Sequence, residues 1–155
     1  MQQIIKIIEG QPCVVDDDWE VVRTLENASP ESRRILPLAT ATNARAVWIS
    51  PDDDFESCLP ALSKMQLIAI DFPTFRDGRG YSIATLLRSR YGWTGELRAI
   101  GDVLRDQLNF MRRCGFDAFA VRADKDIHDA LKSFSHYTVR YQGAVDDPVP
   151  LFRRR

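Results

Sequence analysis

Leu67-Ile68-Ala69-Ile70-Asp71-Phe72 is the stretch whose reading decides the fold class. It is apolar almost without interruption. A strand with one wet face alternates, whereas a continuous run marks a strand covered on both faces, as in a parallel sheet. Downstream, Tyr81 to Tyr91 sets Ile83, Leu86 and Leu87 on one face and Arg88 and Arg90 off it, the spacing of a helix. Gly95-Glu96-Leu97-Arg98-Ala99-Ile100-Gly101 is a second short strand. Asp102 is read as the cap of a helix with the buried stripe Val103, Leu104, Leu108 and Met111, and Cys114-Gly115 ends it. Phe116 to Val121 is a third strand, Asp126 to Phe134 a third helix, and Tyr137 to Gln142 a last strand. Such a succession implies right-handed crossovers and a mostly parallel sheet. Its units fall far short of eight, which favours an open sheet over a barrel.

Upstream the signal is less regular. Ile4-Ile5-Lys6-Ile7-Ile8, the turn Glu9-Gly10-Gln11-Pro12 and Cys13-Val14-Val15 predict a β-hairpin. Asp16 to Ser32 is acidic and turn-rich, a surface excursion. Ile35 to Arg45 reads as a short helix weakened by Pro37. Arg45 to Ser50 is a strand stopped by Pro51-Asp52-Asp53-Asp54, and Phe55 to Lys64 a short helix. The expected organisation is α/β: one domain over residues 1–155, with a less regular part (1–66), a βαβαβα core (67–135) and a C-terminal strand and tail (136–155).

Composition narrows the function. The 155 residues are 45% hydrophobic and 28% charged, ordinary globular values that argue against disorder. The net charge of −1, with acids and bases interspersed, lacks the basic stripe of a nucleic-acid binder. Arg153 to Arg155 read as a solvated tail. No apolar run approaches the roughly 20 residues that span a bilayer, and the first residues lack a signal-peptide pattern, so a cytoplasmic location is expected. Cys13, Cys58 and Cys114 are widely spaced, with no Cys-x-x-Cys pair to hold zinc or an iron–sulfur cluster. His128 and His136 have no second ligand at useful spacing, so no metal site is expected. No cofactor can be named from the sequence.

Ligands of parallel α/β sheets bind beyond the carboxyl ends of the strands, which selects three loops. The first runs from Phe72 to Ser82 and holds Arg76, Asp77, Gly78, Arg79, Gly80, Tyr81 and Ser82. Glycines let backbone amides approach a ligand, and the helix that follows offers its positive end, so Arg79 with Arg76 could clamp a small oxyanion. The alternative is structural: Asp77-Gly78 makes a turn, and Arg79 pairs with Asp77 or Asp102. Gly78-x-Gly80 is no dinucleotide fingerprint, because Ile83 stands where the third glycine belongs. The second loop gives Asp102 with Arg105 and Asp106. Asp102 or Asp77 could serve as a catalytic base, with Arg105 as anion partner, or all could form local ion pairs. The third loop gives Arg122, Asp124 and Lys125, read as a solvated helix start.

The runs Asp71-Phe72-Pro73, Asp77-Gly78-Arg79-Gly80-Tyr81-Ser82, Leu86-Leu87-Arg88, Gly95 through Gln107, and Arg113-Cys114-Gly115-Phe116-Asp117-Ala118-Phe119 resemble a bacterial family, domain of unknown function 934. Its members are often labelled probable oxidoreductases of sulfite reduction. The resemblance is dense over about residues 67 to 121. It implies a place in assimilatory sulfite reduction, as an oxidoreductase component or as an accessory protein with sulfite reductase as its partner, and it carries over no catalytic residue. An accessory protein should expose an apolar patch, expected around Tyr91, Trp93 and Phe110. Two readings stand beside it: a small-molecule enzyme or sensor holding an oxyanion at Gly78-Arg79-Gly80, and a structural module without a ligand.

Overall fold

The computed structural model describes residues 2–23, 33–39 and 44–136. The expected last strand, Tyr137 to Gln142, the tail Arg153 to Arg155 and the His136 side chain lie outside what is described.

The hairpin is present: β1 (Gln2–Ile8) pairs antiparallel with β2 (Gln11–Asp17), and Glu9 and Gly10 turn between them with positive φ. Among the described residues six parallel strands follow: β3 (Glu20–Val21), β4 (Arg34–Pro37), β5 (Ala46–Ile49), β6 (Leu67–Phe72), β7 (Glu96–Gly101) and β8 (Ala118–Phe119). The order across the sheet is β2-β1-β8-β7-β6-β5-β4-β3, with β1 antiparallel to β8. All six residues of β6 are buried, as the unbroken apolar run requires.

Chain order and sheet order coincide from β3 to β8, and crossovers of the usual right hand that all step the same way set their helices on one face. These are α1 (Leu59–Leu62), α2 (Arg79–Thr85), α3 (Leu108–Cys114) and α4 (Ile127–Lys132). Leu62, Ile83, Leu87, Leu108, Met111 and Phe134 pack there against Ile49, Ile68, Ile70, Phe72, Leu97 and Phe119. Gly115, in the left-handed conformation at φ 119°, ends α3 as the sequence predicts.

The sheet, expected to be open rather than a barrel, has two ends and is curled. β2 and β3 stand at opposite ends of the strand order, yet only Asp18 and Trp19 connect them. Three Cα steps span at most about 11 Å, whereas seven flat strand spacings of about 4.8 Å would hold the edges about 34 Å apart. The sheet therefore rolls up with the helices outside. Its inner face is lined by Ala46, Leu67, Ala69 and Ile100, with Trp48, Val21 and Trp19 packed against them. The same face holds charge. Arg98 forms a two-point bridge to Asp17 (2.8 and 3.1 Å), binds Glu96 through Nε (2.9 Å) and Nη2 (2.7 Å), and Lys6 completes the group on Glu96 (3.0 Å).

Three further expectations are corrected. Ile35 lies not in a helix but in β4, where Ile35 and Leu36 are both buried; four residues covered on both faces carry no readable period. Asp16 and Asp17 belong to β2 rather than to a surface excursion, because the Asp17 charge is matched by Arg98, 81 residues away. Arg88 points inward. It lies in a π-helical turn (Leu86–Arg90) and donates to the carbonyls of Trp93, Gly95 and Gly115.

Candidate functional site

The carboxyl ends of β6, β7 and β8 lie side by side, and their continuations build an open cleft of about 420 Å³. It is lined by Arg23, Asp71, Phe72, Pro73, Gly101, Asp102 and Arg122. Asp71 lies inside the apolar run of β6 and is 8% exposed. Gly101 sits opposite, at φ 92°, where a Cβ would come within 2.5 Å of both Asp71 Oδ1 and the Phe72 carbonyl. Glycine is needed here on both counts, conformation and space. The next residue turns back, its amide donating to the Phe72 carbonyl at 2.7 Å.

Asp102 is thereby presented to the cleft and does not cap a helix. Its Oδ2 accepts the Phe75 amide (2.7 Å) and its Oδ1 accepts Arg122 Nη1 (2.9 Å). The helix begins later, with a 3-10 turn (Arg105–Gln107) leading into α3. Arg122 is held from behind by Asp124, through Nε (3.0 Å) and Nη2 (2.8 Å). These bonds, to Asp124 first and Asp102 second, raise the guanidinium pKa, and Arg122 in turn draws Asp124 below the usual carboxylate range. On the far side Arg23 follows β3. Its Nη1 lies 3.2 Å from Asp71 Oδ1, and its guanidinium stacks over the Trp48 ring at 4.9 Å. Trp48 is fixed by an indole bond to the Val22 carbonyl (2.8 Å).

Of the residues proposed for catalysis or anion binding, Asp102 lines this cleft, and so does Arg122, which the sequence suggested was a solvated helix start but which is bonded to Asp102 and Asp124. Arg79 is engaged by carboxylates: Nε and Nη2 reach Asp77 (3.1 and 2.8 Å), and Nη1 reaches Asp52 (2.6 Å). Those bonds, Asp77's first, raise the Arg79 pKa and lower that of Asp77. An anion at Arg79 would have to displace one of these carboxylates. Gly78 occupies the cap position of α2, and Asp77 accepts the Arg79 amide there (3.0 Å). Gly80 lets α2 close on β6: a Cβ would meet the Phe72 ring at 2.7 Å. The Tyr81 ring packs between Phe72 and Phe110, and its burial raises the phenol pKa. Arg76 stacks over Phe75 at 5.5 Å, and Ser82 is exposed. Arg105 binds Asp129 (2.6 Å) beside a separate hollow of about 320 Å³. The expected apolar patch is shifted. Phe110 and Phe75 are exposed, while Tyr91 and Trp93 pack against the core.

Asp71, Arg23 and Gly101 were not singled out as site residues. A lone acid inside an otherwise apolar strand is the signal for Asp71, since burying a charge without a partner is costly. Arg23 gives no such signal, because only the curl of the sheet brings it to β6. Among the described residues no group of three or more His, Cys, Asp or Glu is placed to hold a metal ion, and no helix is long and apolar enough to cross a membrane.

The family described as bacterial protein of unknown function (DUF934) matches residues 46–152. The chain belongs to that family. The match takes in β5 to β8, so the Asp71, Gly101, Asp102 and Arg122 side of the cleft lies within the DUF934 region, while Arg23 comes from the part before it. No curated protein and no solved structure matches the chain.

Proposed function

We propose that this DUF934 protein is a component of assimilatory sulfite reduction that acts through a small-molecule site at the mouth of its curled sheet. The pathway comes from the family resemblance. The site is supported by one observation: two guanidiniums and two carboxylates from four separate strand ends converge on a single cleft. Charged groups brought together from distant parts of a chain, at the carboxyl end of a parallel sheet, are the usual makings of a ligand site.

A thermal-shift panel tests this, with sulfite, sulfate, phosphate, nicotinamide and flavin nucleotides, and amino acids. A ligand at a hundred times its dissociation constant adds about 2.7 kcal/mol, a shift of several degrees for a domain of this size. The expected result is a shift in the parent that is lost in Arg23→Gln and Asp102→Asn. Melting that no compound moves would remove the small-molecule reading.

A second reading, docking to sulfite reductase, is favoured by the exposure of Phe75 and Phe110. It predicts that Phe110→Ser abolishes co-purification with the reductase while the fold survives. Unchanged co-purification removes that surface from consideration.

A further inference from the structure

We propose that the cleft at the mouth selects a small zwitterion of the α-amino-acid type in preference to an inorganic oxyanion. This rests on the reading of the cleft as a small-molecule site and names its ligand class. The first argument is the charge count. Arg23 and Arg122 face the cleft with Asp71 and Asp102, and Asp124 backs Arg122, so three carboxylates stand against two guanidiniums. A sulfate or phosphate dianion entering there meets an excess of like charge.

The second argument is how each guanidinium is occupied. Arg122 binds Asp102 and Asp124 through Nε, Nη1 and Nη2, so a new anion must compete with carboxylates already in place. Arg23 has its ion pair with Asp71 at Nη1, at 3.2 Å, and 48% of its side chain is exposed. Arg23 is therefore the cation open to a ligand.

The third argument is local geometry. The partner of Arg23 is Asp71, largely buried at the base of the cleft, and Gly101 leaves room beside its carboxylate, since a Cβ there would sit 2.5 Å from Oδ1. A lone anion beside an Arg–Asp pair gains from the guanidinium and loses to the carboxylate at nearly the same distance, so the two effects almost cancel. A ligand with adjacent opposite charges gains from both. Its carboxylate lies on Arg23, and its ammonium lies on Asp71 and Asp102, whose carboxylates each have lone pairs for more than one donor.

The experiment is calorimetric titration of the full chain with a panel of L-α-amino acids, with the N-acetyl derivative and methyl ester of any that binds, and with sodium sulfite and sulfate. We expect an amino acid to bind, and blocking either its amine or its carboxylate to weaken binding by at least about tenfold. Arg23→Gln weakens the same amino acid by a similar factor in folded protein, and Asp71→Asn supplies a second variant should either fail to fold. Binding of sulfite or sulfate that is lost in Arg23→Gln, with no amino acid binding, overturns the zwitterion while leaving the small-molecule site standing. Amino-acid binding that survives both Arg23→Gln and Asp71→Asn in folded protein overturns the placement. No binding by any compound overturns both.

Discussion

Two arginine–aspartate clusters, one inside the curled sheet and one at its mouth, use the same residue types to opposite ends. Arg98 is 3% exposed, and Nε, Nη1 and Nη2 all end on Asp17 or Glu96. Arg23 and Arg122 are 48% and 38% exposed, and their carboxylates border an open cleft. Burial of the guanidinium is the difference, for Asp17 and Asp71 are equally buried. A charge removed from water must be matched completely by its neighbours, which leaves nothing for a ligand; a charge at a rim can exchange partners. The interior cluster therefore ties β1, β2 and β7 together, and the mouth cluster is where chemistry has room.

The largest expected effect comes from breaking the interior. Arg98→Ala leaves the buried Asp17 without its cation and Glu96 with Lys6 alone, and we expect a loss of about 3–5 kcal/mol in denaturant unfolding. Arg98→Met together with Asp17→Leu and Glu96→Gln should recover much of that loss, because an apolar replacement removes the unmatched charge. If Arg98→Ala unfolds like the parent, the contrast between the two clusters collapses.

Next is Gly101→Ala. The left-handed backbone and the 2.5 Å approaches to Asp71 and Phe72 act together, and we expect a cost of about 1–3 kcal/mol. The same change should disturb ligand binding, since the added methyl crowds the Asp71 carboxylate. By contrast Arg23→Gln removes a half-exposed cation and should cost less than Arg98→Ala, the cost coming from the buried Asp71 left without its partner, while losing the ligand. A large destabilisation by Arg23→Gln, measured in the same unfolding experiment, would make the mouth a second structural lock.

The contrast also explains what the sequence could reveal. β6, β7 and the helix between them were legible because an apolar run and a helical face are local patterns, and Leu67 to Phe72 needs no distant partner to be recognised. The mouth as a location was legible too, from the rule that ligands sit beyond parallel strand ends, and Asp102 followed from it. The curl was not, for it depends on a two-residue link from β2 to β3 and on an Arg98–Asp17 pair 81 residues apart. Arg23 reaches Asp71 through that curl alone. Arg79 stood out in the sequence because of its glycines, yet Asp52, 27 residues away, takes up the donor that Asp77 leaves. Charges announce themselves in a sequence; their partners do not.

The smallest expected effect lies between the two extremes, at the half-buried Asp117. Its Oδ1 accepts the Leu97 amide (2.8 Å), and its Oδ2 is 3.5 Å from Arg88. Burial pushes this carboxyl pKa up, more than the Leu97 bond and Arg88 pull it down. Asp77 is opposite in sign, held low by Arg79. For Asp77 the stabilising contribution is present above the ordinary carboxylate pKa and is lost as pH falls through the lowered value. For Asp117 it is greatest below the ordinary value and is lost as pH rises through the raised one. Asp117→Asn keeps an oxygen for the Leu97 amide and removes the ionised state. The variant should melt with the parent at the acid end, where both side chains are neutral, and gain on it modestly as the pH rises towards neutrality. Were the variant instead less stable at neutral pH, the Arg88 contact would outweigh desolvation, and even a half-buried pair in this protein would behave like the matched interior rather than like the mouth.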